Sequence, residues 1–238
     1  VVGIPKTIDN DVRFVTRTFG FETAVEEAVH VIKSAHTEAR SVENGVALVK
    51  LMGRHAGFIA AAATVASQDV NICLVPELPF AMAGPGGLLA KLERRLQKKD
   101  HAVVVVAEGA GQDLLGDSDE TDASGNRKLR DIGGFLRDAF SAHFAQRGIE
   151  MTMRYFDPSY QIRGRAANTE DALLCDSMGR HAVHAAMSGR TGLVVSQLHG
   201  QFVHVPIDVI TSGSKQLDLD GELWHAVLSS TDQPARFE

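Results

Sequence analysis

Cysteine is nearly absent from this 238-residue chain: Cys73 and Cys175 are the only two. A disulfide scaffold and a four-cysteine zinc site are thereby excluded, and the count suits a reducing cytoplasm. Positive charge is also short, with 24 Lys+Arg against 30 Asp+Glu. That balance argues against a nucleic-acid binder, which needs a basic face. Long hydrophobic runs are missing too. Phe58–Ala66 and Ala102–Ala107 fall well below the ~20 residues that a spanning helix needs, and the opening residues do not read as a signal peptide. No Gly-x-x-x-x-Gly-Lys-Ser/Thr loop occurs, and no histidine spacing makes a metal site. Disorder is excluded as well, because 44% of the residues are apolar.

What is present is an alternation of two periodicities. Phe21, Ala24, Val25, Ala28, Val31, Ile32 and Ala35 recur at helical spacing within Phe21–Arg40. Further helices are expected over about Gly57–Ser67, Gly86–Lys99, Ile132–Arg147 and Thr169–Ser188. Strands are expected at Gly45–Leu51, Val70–Val75, Ala102–Ala107, Ile149–Tyr155 and Gly192–Ser196. These strands carry no internal polar alternation, which indicates parallel sheet covered on both faces and an α/β fold class. The acidic stretch Gly116–Asn126 reads as a solvated, mobile loop, and the tail from Ser212 as polar and less periodic. Val1-Val2-Gly3-Ile4 reads as a strand without an initiator Met, which suggests N-terminal truncation.

In such folds ligands sit beyond the carboxyl ends of the strands. Four segments fall there. Lys6-Thr7-Ile8-Asp9-Asn10-Asp11 places two carboxylates two apart; one can take a proton from a hydroxyl and the other can hold a hydrated cation. A polar turn satisfying its own backbone explains it equally. Lys50-Leu51-Met52-Gly53-Arg54 ends a strand at a helix start, where an arginine can clamp phosphate or simply be solvated. Glu108-Gly109 ends the valine strand on a carboxylate that must meet a polar partner. Arg154 to Arg163 brackets a Pro-ordered turn containing Tyr160, which an ordinary surface loop also explains.

Taken together, Pro5–Asp11, Lys50–Arg54, Pro76-Glu77, Glu108-Gly109 and Asp157–Arg163 resemble, in order and spacing, the phosphofructokinase family. The likeness is strongest to its plant and trypanosomatid branch and runs from residue 1 to about 212. It implies a pair of Rossmann-like three-layer domains with the first incomplete: residues 1–20 and 163–212, then 21–162 and 213–238. It implies phosphoryl transfer from ATP to the 1-hydroxyl of fructose 6-phosphate in glycolysis, in the cytoplasm. By position, Asp9 would be the general base, with Thr7 and Ile8 beside it. Asp11 would meet Mg²⁺ through water, and Lys6 would lie toward the donor phosphates. Met52, Gly53 and Arg54 would hold the sugar phosphate region, with Arg54 also offsetting charge in transfer. Glu108 would bind sugar hydroxyls; Tyr160, Gln161, Ile162 and Arg163 would close on the sugar and its phosphate. Arg154 would be lent to a neighbouring subunit, which implies a homo-oligomer, a dimer or a tetramer.

The family's Gly-Gly-Asp-Gly (or Gly-Gly-Asp-Asp) donor segment has no counterpart here. Little kinase activity is therefore expected of the isolated chain, together with an exposed sheet edge. Two further readings stay open: pyrophosphate as donor, and a non-catalytic sugar-phosphate-binding remnant.

Overall fold

The computed structural model describes residues 1–116, 120–121 and 128–238. Most of the loop expected at Gly116–Asn126 lies outside the described residues. The larger sheet contains β2 (Gly45–Leu51), β3 (Ile72–Leu74), β4 (His101–Ala107) and β5 (Thr152–Phe156) in the order β3-β4-β2-β5, all parallel. Its apolar runs follow from burial on both faces. Ala47, Val49, Val103, Val105 and Cys73 point toward α1 (Phe21–Arg40), α2 (Phe58–Ser67) and α9 (Glu222–Thr231). Val46, Leu48, Ile72, Val104 and Val106 point the other way, toward α3 (Leu88–Lys99) and α5 (Ile132–Gln146). The result is a three-layer α/β/α arrangement. Among the described residues no helix is long and apolar enough to cross a membrane.

A second sheet is smaller, with order β1-β6-β7. β1 (Val2–Gly3) runs parallel to β6 (Leu193–Leu198), and α7 (Thr169–Met187) packs on them through Met178 and Ala185. β1 has one strand partner, and Val1 and Ile4 are exposed. β7 (Gln201–Pro206) pairs antiparallel with β6, which departs from the all-parallel expectation. His199 and Gly200, at φ 48 and 78, form the tight turn that allows it. The tail also departs from expectation: Trp224 and Val227 are buried on α9. Downstream, the Gln233 side chain lies along edge strand β3, accepting from the Cys73 N–H at 2.7 Å and donating to the Cys73 carbonyl at 3.2 Å.

Two short helices flank strand ends: α4 (Gln112–Leu115) and α6 (Ser159–Arg163). A turn was expected at the second. A short helix forms instead, and Asp157 just ahead of it accepts from the Ser159 N–H and hydroxyl. One more, α8 (Ile207–Ile210), follows β7.

The helices α1 and α7, one from each sheet, meet at their N-termini. α1 has no cap of its own at Gly20. The Asp171 carboxylate, in the first turn of α7 and 1% exposed, accepts instead from Gly20 N–H at 2.7 Å, Thr23 N–H at 2.8 Å and the Thr23 hydroxyl. Its charge sits at the positive ends of both helices. Asp171→Ala leaves two buried donors unpaired and is expected to cost about 3 kcal/mol of stability. Urea denaturation checks this; a loss under about 1 kcal/mol would contradict it.

Candidate active site

The carboxyl ends of β2 and β4 lie side by side, Leu51 opposite Ala107. The pairing continues past the strands: the Glu108 N–H donates to the Leu51 carbonyl at 2.8 Å and the Gly109 N–H to the Gly53 carbonyl at 3.0 Å. Only glycine tolerates this approach. A Cβ on Gly109 would stand 1.9 Å from the Arg54 carbonyl oxygen, and Gly53 holds φ +130. Two turns are thus locked together, and Arg54 and Glu108 leave from the same end of the sheet. Glu77, at the next strand end, serves structure. Both its oxygens accept from the Gly57 N–H at the start of α2, and one also accepts from the Leu217 N–H at 2.8 Å.

The segment after β1 folds back on itself. Lys6 bridges to Phe19, the Asp9 N–H donates to the Thr7 hydroxyl at 3.2 Å, and buried Asn10, at φ 56, accepts from the Thr18 N–H at 3.1 Å. A cleft of about 420 Å³ results. Lys6, Thr7, Ile8 and Asp9 line it together with Phe19 and Gly20, and Arg163 reaches it from α6.

Asp9 is the distinctive group. Its Oδ1 is buried with no hydrogen-bond partner. Burial above all, then the charges of Asp11 and Glu108, push its pKa up to about 6, while Arg163 and Arg54 oppose the rise. Four of the expected site residues therefore act on Asp9 electrostatically, drawn from four separate stretches of chain.

Arg163 owes its place to a lysine. Lys50, the last-but-one residue of β2, lies 2.8 Å from Asp157 and 3.6 Å from Asp131, tying the α6 entry to the strand end. Burial is the largest single influence and works against its charge, but the hydrogen bond to Asp157 together with the nearby charges of Tyr155, Asp157 and Asp131 lifts its pKa above the usual lysine value. The other expected residues are spread differently. Tyr160 is 91% exposed and Gln161 also faces solvent, while Ile162 is buried in the core against α1. Met52 lies in that same core and frames the turn through its backbone. Arg154 stands on edge strand β5, 3.8 Å from Glu38, outside the cleft. The sequence reading did not anticipate Phe19 and Gly20 as cleft walls. The signal was there in Gly20, a glycine placed just before a helix without a capping side chain.

The sequence profile described as Phosphofructokinase matches residues 1–186. The chain belongs to the phosphofructokinase family. It is 48% identical over 241 residues to an ATP-dependent 6-phosphofructokinase of Borreliella burgdorferi, covering 98% of this chain and 54% of that protein. It is 46% identical to ATP-dependent 6-phosphofructokinase 1 of Arabidopsis thaliana (99% of this chain, 50% of that one). The ATP-dependent 6-phosphofructokinase of Trypanosoma brucei brucei is 48% identical, with 97% and 47% covered. The chain thus spans about half the length of the curated relatives it matches. Among solved structures, a pyrophosphate-dependent phosphofructokinase from Marinobacter aquaeolei aligns with TM-score 0.73 at 21% identity, over 99% of this chain and 61% of that one. At that identity it speaks for the fold alone.

Because the folded pKa of Asp9 lies above its unfolded value, protonation favours the folded state. Ionised Asp9 is therefore a cost to stability above about pH 6. Asp9→Asn is expected to stabilise the protein by roughly 1–2 kcal/mol at pH 7.5 and to lose that advantage below about pH 4, where wild-type Asp9 is neutral too. Urea titrations at both values check this; equal stability at pH 7.5 would contradict the burial of the charge.

Proposed function

We propose that this chain carries the acceptor side of an enzyme that transfers a phosphoryl group from ATP to the 1-hydroxyl of fructose 6-phosphate, with little activity of its own because the donor-phosphate segment has no counterpart in it. The observation that carries the reading is the buried, unpartnered Oδ1 of Asp9 beside two arginines. An oxygen kept free of protein donors inside a cleft is an acceptor waiting for a ligand hydroxyl. With a pKa of about 6, Asp9 is ionised at neutral pH yet more basic than an ordinary aspartate. In the proposed step it receives the hydroxyl proton as the sugar oxygen forms its bond to the γ-phosphorus and the bond to ADP breaks. Arg54 offsets charge on the transferred group and Arg163 holds the sugar phosphate, with Thr7, Ile8 and Glu108 around the sugar. Phosphoryl transfer asks mainly for such alignment and charge balance. ATP is preferred as donor because the printed names of the curated relatives specify it.

Mg²⁺ enters the proposal through Asp11 alone, since among the described residues no group of three His, Cys, Asp or Glu side chains is placed to hold a metal directly. Asp11 would hold the ion through water, and the ion would neutralise donor phosphates. We extend the proposal to a homo-oligomer in which Arg154, exposed on an edge strand, serves a neighbouring subunit. Residues 1–20 and 163–212 would form one domain, supported by their own apolar cluster, and 21–162 with 213–238 the other. Two free thiols suit a cytoplasmic setting.

In the full-length polypeptide, Asp9→Ala is expected to lower kcat by about 10³-fold while fructose 6-phosphate affinity stays within a few-fold. The wild-type kcat/KM should fall with decreasing pH around pH 6, as Asp9 takes up a proton. Turnover near wild type in the alanine variant, or no calorimetric heat with millimolar fructose 6-phosphate, would overturn the reading.

A further inference from the structure

Lys215 lies outside every segment assigned to the site, in the return stretch between α8 and α9, yet it reaches under the loop that carries Asp9 and Asp11. Its backbone N–H donates to the Asp11 carbonyl at 2.7 Å. Its ammonium donates to the carbonyls of Val15 at 2.8 Å and Thr16 at 3.3 Å. The same ammonium stands 5.1 Å from the centre of the Phe58 ring, at the first residue of α2. Its neighbours extend the seam: Ser214 bridges to Val12, and the Leu217 N–H donates to Glu77. The loop needs such a fastening. Phe14, exposed and without glycine's freedom, sits at φ 57, a conformation that disfavours L-residues. Arg13 turns outward to donate to the Ser212 hydroxyl at 3.0 Å, so it supplies no cation on the inner side.

A half-buried ammonium is costly to place, and burial draws its pKa down to about 8 against the opposing charge of Asp11. A residue that only filled space would be apolar. Two inward-facing carbonyls and a ring face make the cation fit.

We propose that Lys215 is a positioning residue for the carboxylate loop, its ammonium fixing Val15 and Thr16 so that Asp9 and Asp11 keep one geometry against Arg54 and Glu108. This rests on the function proposed above, in which Asp9 acts as base. Lys215 does not touch the cleft itself; its effect passes through the backbone.

Lys215→Met keeps the stem and removes the charge; Lys215→Arg keeps the charge. In the Met variant, amide exchange at Asp9, Thr16 and Thr18 is expected to quicken about tenfold or more, with Ile32 on α1 and Val104 on β4 unchanged. In the full-length polypeptide the Met variant should lose about tenfold or more in kcat while KM for fructose 6-phosphate stays within about threefold. The Arg variant should restore most of both. Wild-type exchange in the Met variant, exchange that quickens equally in α1 and β4, or failure of arginine to rescue would overturn the proposal. If the wild-type protein shows no turnover, the functional reading fails, and the exchange measurement still decides the role of Lys215.

Discussion

One buried carboxylate fixes the frame on which the site is built. Asp171 joins the first turn of α7 to the first turn of α1, and these helices pack on different sheets. The first turn of α1 could not bury its amide donors at this junction without an acceptor of that kind, while α7 is capped by its own Asn168. Gly20, held directly by Asp171, is also a wall of the cleft that contains Asp9. The position of Asp9 relative to the arginines of the larger sheet therefore traces back to a single carboxylate at two helix ends.

Around that frame the chain solves two opposed demands. For the proposed role, Asp9 must be dry enough to be basic, and charged enough to work at neutral pH. Burial and two neighbouring carboxylates supply the first; Arg54 and Arg163 supply the second. Each arginine is delivered by a strand end. Arg54 comes from the Gly53 turn pressed against Gly109, and Arg163 from a helix tethered to β2 through Lys50 and Asp157. Backbone contact sets one distance and an ion pair sets the other.

The sequence made the larger sheet legible because its strands are buried on both faces and carry no competing pattern. The valines at Val103–Val106 could be little else. The loop at 6–11, Arg54 and Glu108 were legible as polar groups forced to appear at apolar strand ends. What escaped was non-local. Gln201–Pro206 became a strand because a two-residue turn brought it back onto β6, and its half-exposed alternation was a weak signal beside the buried runs. Trp224 and Val227 lie in a tail whose composition is polar, although their spacing with Leu223 and Leu228 is helical. Tyr160 and Ile162, near neighbours in one motif, are placed differently: one is open to solvent and the other packs in the core. No local feature marked Lys215, whose partners are some 200 residues away.

The central claim is that Asp9 presents an unpaired, basic oxygen to a sugar hydroxyl. Carbon-13 titration of its carboxyl by nuclear magnetic resonance, with and without fructose 6-phosphate, tests this directly. The account predicts a free-protein pKa near 6 and a change in the Asp9 signal when the sugar binds. A value at the ordinary aspartate level of about 3.9, or a signal indifferent to saturating sugar, would contradict it.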